Sequence, residues 1–362
     1  MSIRVRVAQP ELDDRESAAI TAVLASGMLV QGAMVERFER AIAERCGRAH
    51  AIAVTNGTAA LELALECLEV RGHEVLVPDL TWPSPAHAAV RAGASLALSD
   101  VDRAQWNVTP SLAAEAISDA TRALIVIDQF GVPADVAGVE SALGSVHVIE
   151  DAACAIGSTF GGKSCGSFGV FSTLSFHPRK VITTGEGGML LTDEPALAAR
   201  ARMLRNHGQK GPGDFGAAGP NLRLTEMQAA MGLVQLEKLD GIVARRQAIG
   251  ARYREALKSD AMQACPAGAS WNHQTFGYLL EPSQDVSVVL AAMRERGIEC
   301  GRLSYALHTL PSLRGARHGA LSNTSAILDR AIALPLHTKM SDEDVEAVIA
   351  ALSGLGIAAP QT

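Results

Sequence analysis

Aromatic residues are scarce in this 362-residue chain: they make up 4% of it, and only three are tryptophan. A tryptophan just after a strand-like apolar run is therefore a candidate for a ligand-facing role. Cysteine is also sparse, and the six residues (46, 67, 154, 165, 265 and 300) form no Cys-x-x-Cys pattern. That argues against a disulfide framework and for a reduced, cytoplasmic setting. The ten histidines show no His-x-x-x-His spacing, so no metal site is expected. No apolar stretch approaches the roughly 20 residues of a membrane span. The opening Met1-Ser2-Ile3-Arg4-Val5-Arg6-Val7 lacks the apolar core of a signal peptide. With a net charge of −7 and no long Lys/Arg cluster, neither a nucleic acid nor a membrane is an expected partner. Repeats and low-complexity segments are absent as well.

What remains is a chain that is 48% hydrophobic, long enough for a large core and for two domains, placed at 1–245 and 246–362. From Ala51 to about Leu191, apolar runs alternate with helical patterns, as a mostly parallel α/β sheet demands. The clearest buried strands are Ala123 to Ile127 and Val146 to Ile149. Asn206 to Pro220 is glycine-rich and reads as a long functional loop. A helix with Met227, Ala230, Met231, Val234 and Leu236 as its apolar face follows. A separate charged helix, Val243 to Lys258, is expected to cross into the smaller domain.

The most informative stretch is Ser175-Phe176-His177-Pro178-Arg179-Lys180, followed by Gly185-Glu186-Gly187-Gly188. It sets a lysine among small polar residues directly after the strand-like run Val170 to Phe176. A lysine alone reads as a surface charge, but three other features change that reading. Val146-His147-Val148-Ile149-Glu150-Asp151 delivers a carboxylate to the end of a buried strand, where α/β proteins bind ligands. Asn56-Gly57-Thr58 opens a helical pattern (Leu61, Ala64, Leu65, Leu68) after the strand Ala51 to Val54, an arrangement suited to an anion. Trp82 follows the apolar run Val75 to Pro78. An amine, a carboxylate, a phosphate cradle and a flat aromatic are together what pyridoxal 5′-phosphate requires.

In this order the motifs resemble the nucleotide-sugar aminotransferases of the DegT/StrS type, nearly end to end, from Gly27…Gly32 before Phe38-Glu39 to Ala333-Leu334-Pro335-Leu336-His337. The resemblance implies a three-layer fold type I α/β architecture with a smaller C-terminal α+β domain, and a homodimer with shared active sites. It makes Lys180 the Schiff-base lysine and Asp151 the partner of the cofactor's ring nitrogen. Gly57, Thr58 and Ser175 become phosphate contacts, Trp82 the stacking aromatic, and Asn221 a residue reaching the neighbouring subunit's phosphate. His177, Arg223, Tyr305 and His308 are candidate substrate contacts, and Glu186 is expected to order its glycine turn. One position departs: where the family carries glutamine or histidine to bond the cofactor's phenolic oxygen, this chain has Cys154, a weak donor. It is expected to act as a small packing residue.

The implied reaction is transfer of an amino group, from glutamate, to a keto sugar carried on a nucleotide, in two alternating half-reactions. Lys180 shuttles the proton as base and then acid. The Gly185-Glu186-Gly187-Gly188 turn resembles the branch that aminates 4-keto-6-deoxyhexoses; a 3-keto sugar or a cyclitol ketone is the alternative acceptor. Relatives that are sugar dehydratases carry histidine at the lysine position, so Lys180 favours amino transfer. A non-catalytic regulator would be favoured only by loss of Lys180 or Asp151. The pattern Gly157-Ser158-Thr159-Phe160-Gly161-Gly162-Lys163-Ser164 also matches a P-loop, with Ala123 to Asp128 as its magnesium strand. Cys165-Gly166-Ser167-Phe168-Gly169 follows instead of a helix, which predicts a hairpin and no ATPase.

Overall fold

The apolar runs become strands of one sheet in the computed structural model, which describes residues 3–357. In chain order its strands are β1 (His50–Val54), β2 (Glu74–Pro78), β3 (Ser95–Ser99), β4 (Thr121–Ile127), β5 (His147–Asp151), β6 (Phe171–Ser175), β7 (Gly188–Thr192) and β8 (Arg317–His318). The spatial order is β1-β7-β6-β5-β4-β2-β3-β8. All neighbours from β6 to β8 along that order are parallel. Only β7 runs against its two neighbours. Ala123 to Ile127 is buried throughout, because helices cover both faces of a parallel sheet.

Helix α1 (Gly57–Cys67) starts where Asn56 accepts the backbone N–H of Ala59 at 2.9 Å. The side chain thus caps the helix and leaves the N–H groups of its first turn at the sheet edge. A second, smaller sheet has Ala331–Leu334 at its centre, antiparallel to Phe276–Leu279 and to Gly301–Arg302. Helices Val286–Glu295 and Asp342–Ser353 share an apolar cluster with it. Sheet and helices form the α+β part expected near the C-terminus.

Two sequence expectations change. The segment 206–220 is not one open loop: Gln209–Gly211 pairs with Asp214–Phe215 as a small hairpin. Glycine-rich sequence carries no alternation of apolar residues, so no period marks these strands. The two helices expected after it are one, α2 (Glu226–Ala256), 31 residues long and closed by a Thr225/Gln228 capping box. Its buried face begins Glu226, Ala229, Ala230, Gly232, Gln235, Leu239, whereas Met227, Met231, Val234 and Leu236 are only half-buried. Gly232 is required there, since an added Cβ would lie 2.6 Å from the Phe38 ring.

The P-loop match folds as the hairpin that the glycines predict, with Thr159–Phe160 antiparallel to Lys163–Ser164. Gly161 and Gly162 sit at its tip with φ of 57° and 79°. No helix begins at Lys163-Ser164, so no phosphate loop exists. Asp128, at the end of β4, is enclosed with Glu150 and Cys165 instead of facing a nucleotide.

Candidate active site

The ends of β5 and β6, the start of antiparallel β7 and the start of α1 meet at one edge of the sheet. Asp151 ends β5, with one carboxylate oxygen taking the Ala153 N–H at 3.1 Å and the Thr173 hydroxyl at 3.2 Å. Burial pushes its carboxyl above the ordinary value, while the Lys180 amine and these donors oppose the shift. The acid is fixed in place and backed by β6.

The β6–β7 connection carries Lys180, and the surrounding backbone is closed on itself. Phe176 N–H bonds to Gly187 C=O at 2.9 Å, and Thr184 N–H to Phe176 C=O at 3.0 Å. The Thr183 hydroxyl donates to Phe176 C=O at 2.8 Å, and the Lys180 N–H to His177 C=O at 2.8 Å. A loop held this way fixes the lysine stem. The Lys180 Nζ donates to Cys154 Sγ at 3.0 Å. Burial lowers the amine's pKa, but the Cys154 sulfur and the Asp151 carboxylate outweigh it and leave it above the ordinary lysine value. Cys154 is therefore more than packing: it is the side-chain partner of the lysine.

Gly57 lies against Ser175, and Thr58 follows it in the first turn of α1. A Cβ on Gly57 would lie 2.9 Å from Ser175 Cβ, so only glycine lets α1 approach the end of β6. Thr58 Oγ1 is 2.5 Å from Ser84 Oγ, which adds a hydroxyl that the sequence reading missed. The first-turn N–H groups of α1 and these hydroxyls make a cradle for an anion.

Trp82 is 59% exposed, and its ring meets Tyr305 edge-on with centroids 5.4 Å apart. Tyr305–Ala306 pairs with Leu80–Thr81, so two distant segments present their aromatics side by side. They line a cavity of about 420 Å³ together with Arg179, Arg302, His308 and Asp329. His308 enters through a partner that the sequence reading did not name. Its Nδ1 lies 2.6 Å from Asp79 Oδ2, and its N–H donates to Asp79 Oδ1 at 2.8 Å. The clue was available: Asp79 follows an apolar strand just as Asp151 does.

The remaining candidates lie further out. His177 is half-buried, with its pKa lowered by burial, and its Nδ1 accepts the Arg179 N–H at 3.2 Å, a local turn contact. Arg223 donates to the Asn206 side chain, outside the cavity beside Trp82. Asn221 is exposed on the segment that runs beside Thr55. The Glu186 backbone carbonyl takes the Thr184 hydroxyl at 2.6 Å and the Gln228 amide at 2.7 Å, while its side chain is exposed.

The donor set fits pyridoxal 5′-phosphate on this chain's own geometry: an amine beside a buried acid, a cradle that a single Cβ would fill, and an exposed aromatic. Residues 10–353 match the DegT/DnrJ/EryC1/StrS aminotransferase family. The chain belongs to this family. GDP-perosamine synthase of Caulobacter vibrioides is 33% identical, over 96% of this chain and 97% of that protein. The aminotransferase TlmJ of Streptoalloteichus hindustanus superposes with a TM-score of 0.91 at 31% identity, over 97% of this chain and 100% of its own. DesV of S. venezuelae superposes with a TM-score of 0.89 at 29% identity, over 94% of each chain. As a member of the DegT/DnrJ/EryC1/StrS family with these residues in place, the chain is a pyridoxal-phosphate-dependent aminotransferase. Among the described residues no helix is long and apolar enough to cross a membrane.

Proposed function

We propose that this aminotransferase moves an amino group from glutamate to a nucleotide-linked 4-keto-6-deoxyhexose. The observation that carries the reading is the convergence of Lys180 Nζ, buried Asp151 and the Gly57–Ser175 contact at one sheet edge, beside a cavity lined by Trp82, Tyr305 and His308. The similarity to GDP-perosamine synthase over nearly the whole chain supports a nucleotide-sugar acceptor.

When bound, pyridoxal 5′-phosphate supplies the electron sink for amino transfer. Lys180 would hold it by Nζ, Asp151 would pair with its ring nitrogen, Gly57, Thr58 and Ser175 would receive its phosphate, and Trp82 would pack against it. Lys180 Nζ would take the α-proton of the donor in one half-reaction and would give a proton to the acceptor carbon in the other. Asp151 makes a charge-assisted hydrogen bond, and its burial excludes competing water. His308, oriented by Asp79, and Arg179 face the space left for the acceptor.

A homodimer with shared sites is part of this reading. It is supported by the exposed apolar run Met28, Leu29, Val30, which lies against the start of α2 through the Val30–Thr225 bridge, near exposed Asn221. The division into 1–245 and 246–362 is supported by an apolar cluster drawn mainly from Ile249 to Ile357, although α2 runs through the boundary. Six free cysteines support a cytoplasmic setting.

The test is to convert the loaded protein with glutamate, remove the amino acid, and add keto acceptors one at a time. Nucleotide-linked 4-keto-6-deoxyhexoses should restore the original visible band, with the new amine at C4 by NMR. Turnover of 3-keto isomers only, or of cyclitol ketones only, would reassign the acceptor.

A further inference from the structure

Lys180 and Cys154 form a pair whose chemistry amino transfer does not need. Nζ and Sγ are 3.0 Å apart, and both residues are half-buried, so a small oxidant reaches them while bulk solvent does not surround them. Both ends are pinned. Asn272 Nδ2 donates to the carbonyls of Cys154 and Ile156, each at 2.9 Å. The Gln274 amide donates to the Arg179 carbonyl at 2.9 Å, and the Lys180 N–H to His177 C=O at 2.8 Å. The amine and the sulfur are thus held at near-reaction distance by two rigid backbones, which raises their effective concentration toward each other.

We propose that this pair is a redox modification site, at which dioxygen converts the free amine of Lys180 and the thiol of Cys154 into an Nζ–O–Sγ bridge. The Sγ–H bond and one Nζ–H bond break, and Sγ–O and O–Nζ bonds form. Sulfur and nitrogen each give up two electrons to dioxygen, whose second oxygen leaves as water with the two hydrogens. If Lys180 starts as the ammonium, one further proton passes to solvent. Two equivalents of a dithiol reverse the step, returning thiol, amine and water. The bridge removes the amine that holds the cofactor, so loading stops until a reductant acts. Glutamine or histidine at position 154 cannot do this, because neither carries an oxidisable sulfur beside the amine.

The bridge rests on the Lys180–Cys154 geometry, and only its blockage by cofactor rests on the proposed function. The full-length protein, freed of pyridoxal phosphate with hydroxylamine, is held in oxygen-saturated buffer beside a sample with excess pyridoxal phosphate. Intact mass and peptide mapping follow both. The freed sample should gain about 14 Da, one oxygen added and two hydrogens lost, in a cross-link between the Cys154 and Lys180 peptides. Dithiothreitol should reverse it, and Cys154→Ser and Lys180→Arg should each abolish it. No cross-link, or oxidation of the sulfur alone to sulfinate and sulfonate with Lys180 unmodified, would overturn the proposal. The same gain in Lys180→Arg would overturn it too. A bridge that forms equally with pyridoxal phosphate present would uphold the proposal and remove Lys180 as the cofactor lysine.

Discussion

Asp79, fully buried just beyond β2, grips His308 at two points, the ring Nδ1 at 2.6 Å and the backbone N–H at 2.8 Å. Burial pushes the Asp79 carboxyl above its ordinary value, and the two hydrogen bonds from His308 oppose that shift. Asp79→Asn should loosen the ring in the acceptor cavity. The expected outcome is a fall of about tenfold in kcat/KM for the keto sugar, worth about 1.4 kcal/mol. The glutamate half-reaction should stay near normal; an equal loss in both halves would place the pair outside the acceptor cavity's work.

Gly57→Ala should weaken cofactor binding without unfolding the protein. The new Cβ would meet Ser175 Cβ at 2.9 Å and Oγ at 3.4 Å, forcing α1 away from the strand end that completes the cradle. Affinity for pyridoxal phosphate should drop by about tenfold or more, read by spectroscopic titration, with the melting temperature little changed. Unchanged affinity would move the phosphate elsewhere.

How much of this was legible in the sequence depended on distance along the chain. Asp151, Gly57, Ser175 and Lys180 each lie in a local pattern of strand, turn or helix start, and such patterns repeat the physics that places them. Asp79 and His308 are 229 residues apart, and no spacing rule pairs them. Glu237-Lys238-Leu239-Asp240-Gly241 interrupts the apolar pattern within α2, so one helix has the sequence signature of two. A helical glycine costs only about 1 kcal/mol, and packing against Asp14–Ser26 and Ala33–Cys46 carries the helix through. Cys154 was legible as a departure, but its contact with Lys180 required the folded loops.

His273 makes stability fall with acid. It is buried and stacked on Trp271 at 4.0 Å, and burial, then Arg254 and Arg246, pushes its pKa from 6.5 down to about 3. The unfolded chain therefore binds a proton that the folded one refuses between these two values. Stability contributed by this residue is present above pH 6.5 and is lost as pH falls toward about 3. The slope is about 1.4 kcal/mol per pH unit. His273→Asn tolerates the left-handed backbone (φ 51°) and removes the titration. Denaturant melts from pH 7 to 4 should show a shallower pH dependence in the variant; parallel curves would exclude His273 as a source.

Asn221 tests the shared site. If it serves the partner's phosphate, Lys180→Ala and Asn221→Ala proteins should each be impaired, and mixing them should create dimers with one intact site. Activity regained on mixing, with subunit exchange confirmed by native mass, is the expected result. No recovery would assign Asn221 to its own subunit's site or to none.

Everything proposed for the site depends on Lys180 carrying the cofactor. Reduction of the loaded protein with borohydride, followed by peptide mapping, tests it in one step. A single reduced pyridoxyl adduct is expected on Lys180, and none in Lys180→Ala, which should still fold and bind the cofactor reversibly. An adduct on Lys163, or no adduct while the visible band persists, would contradict it.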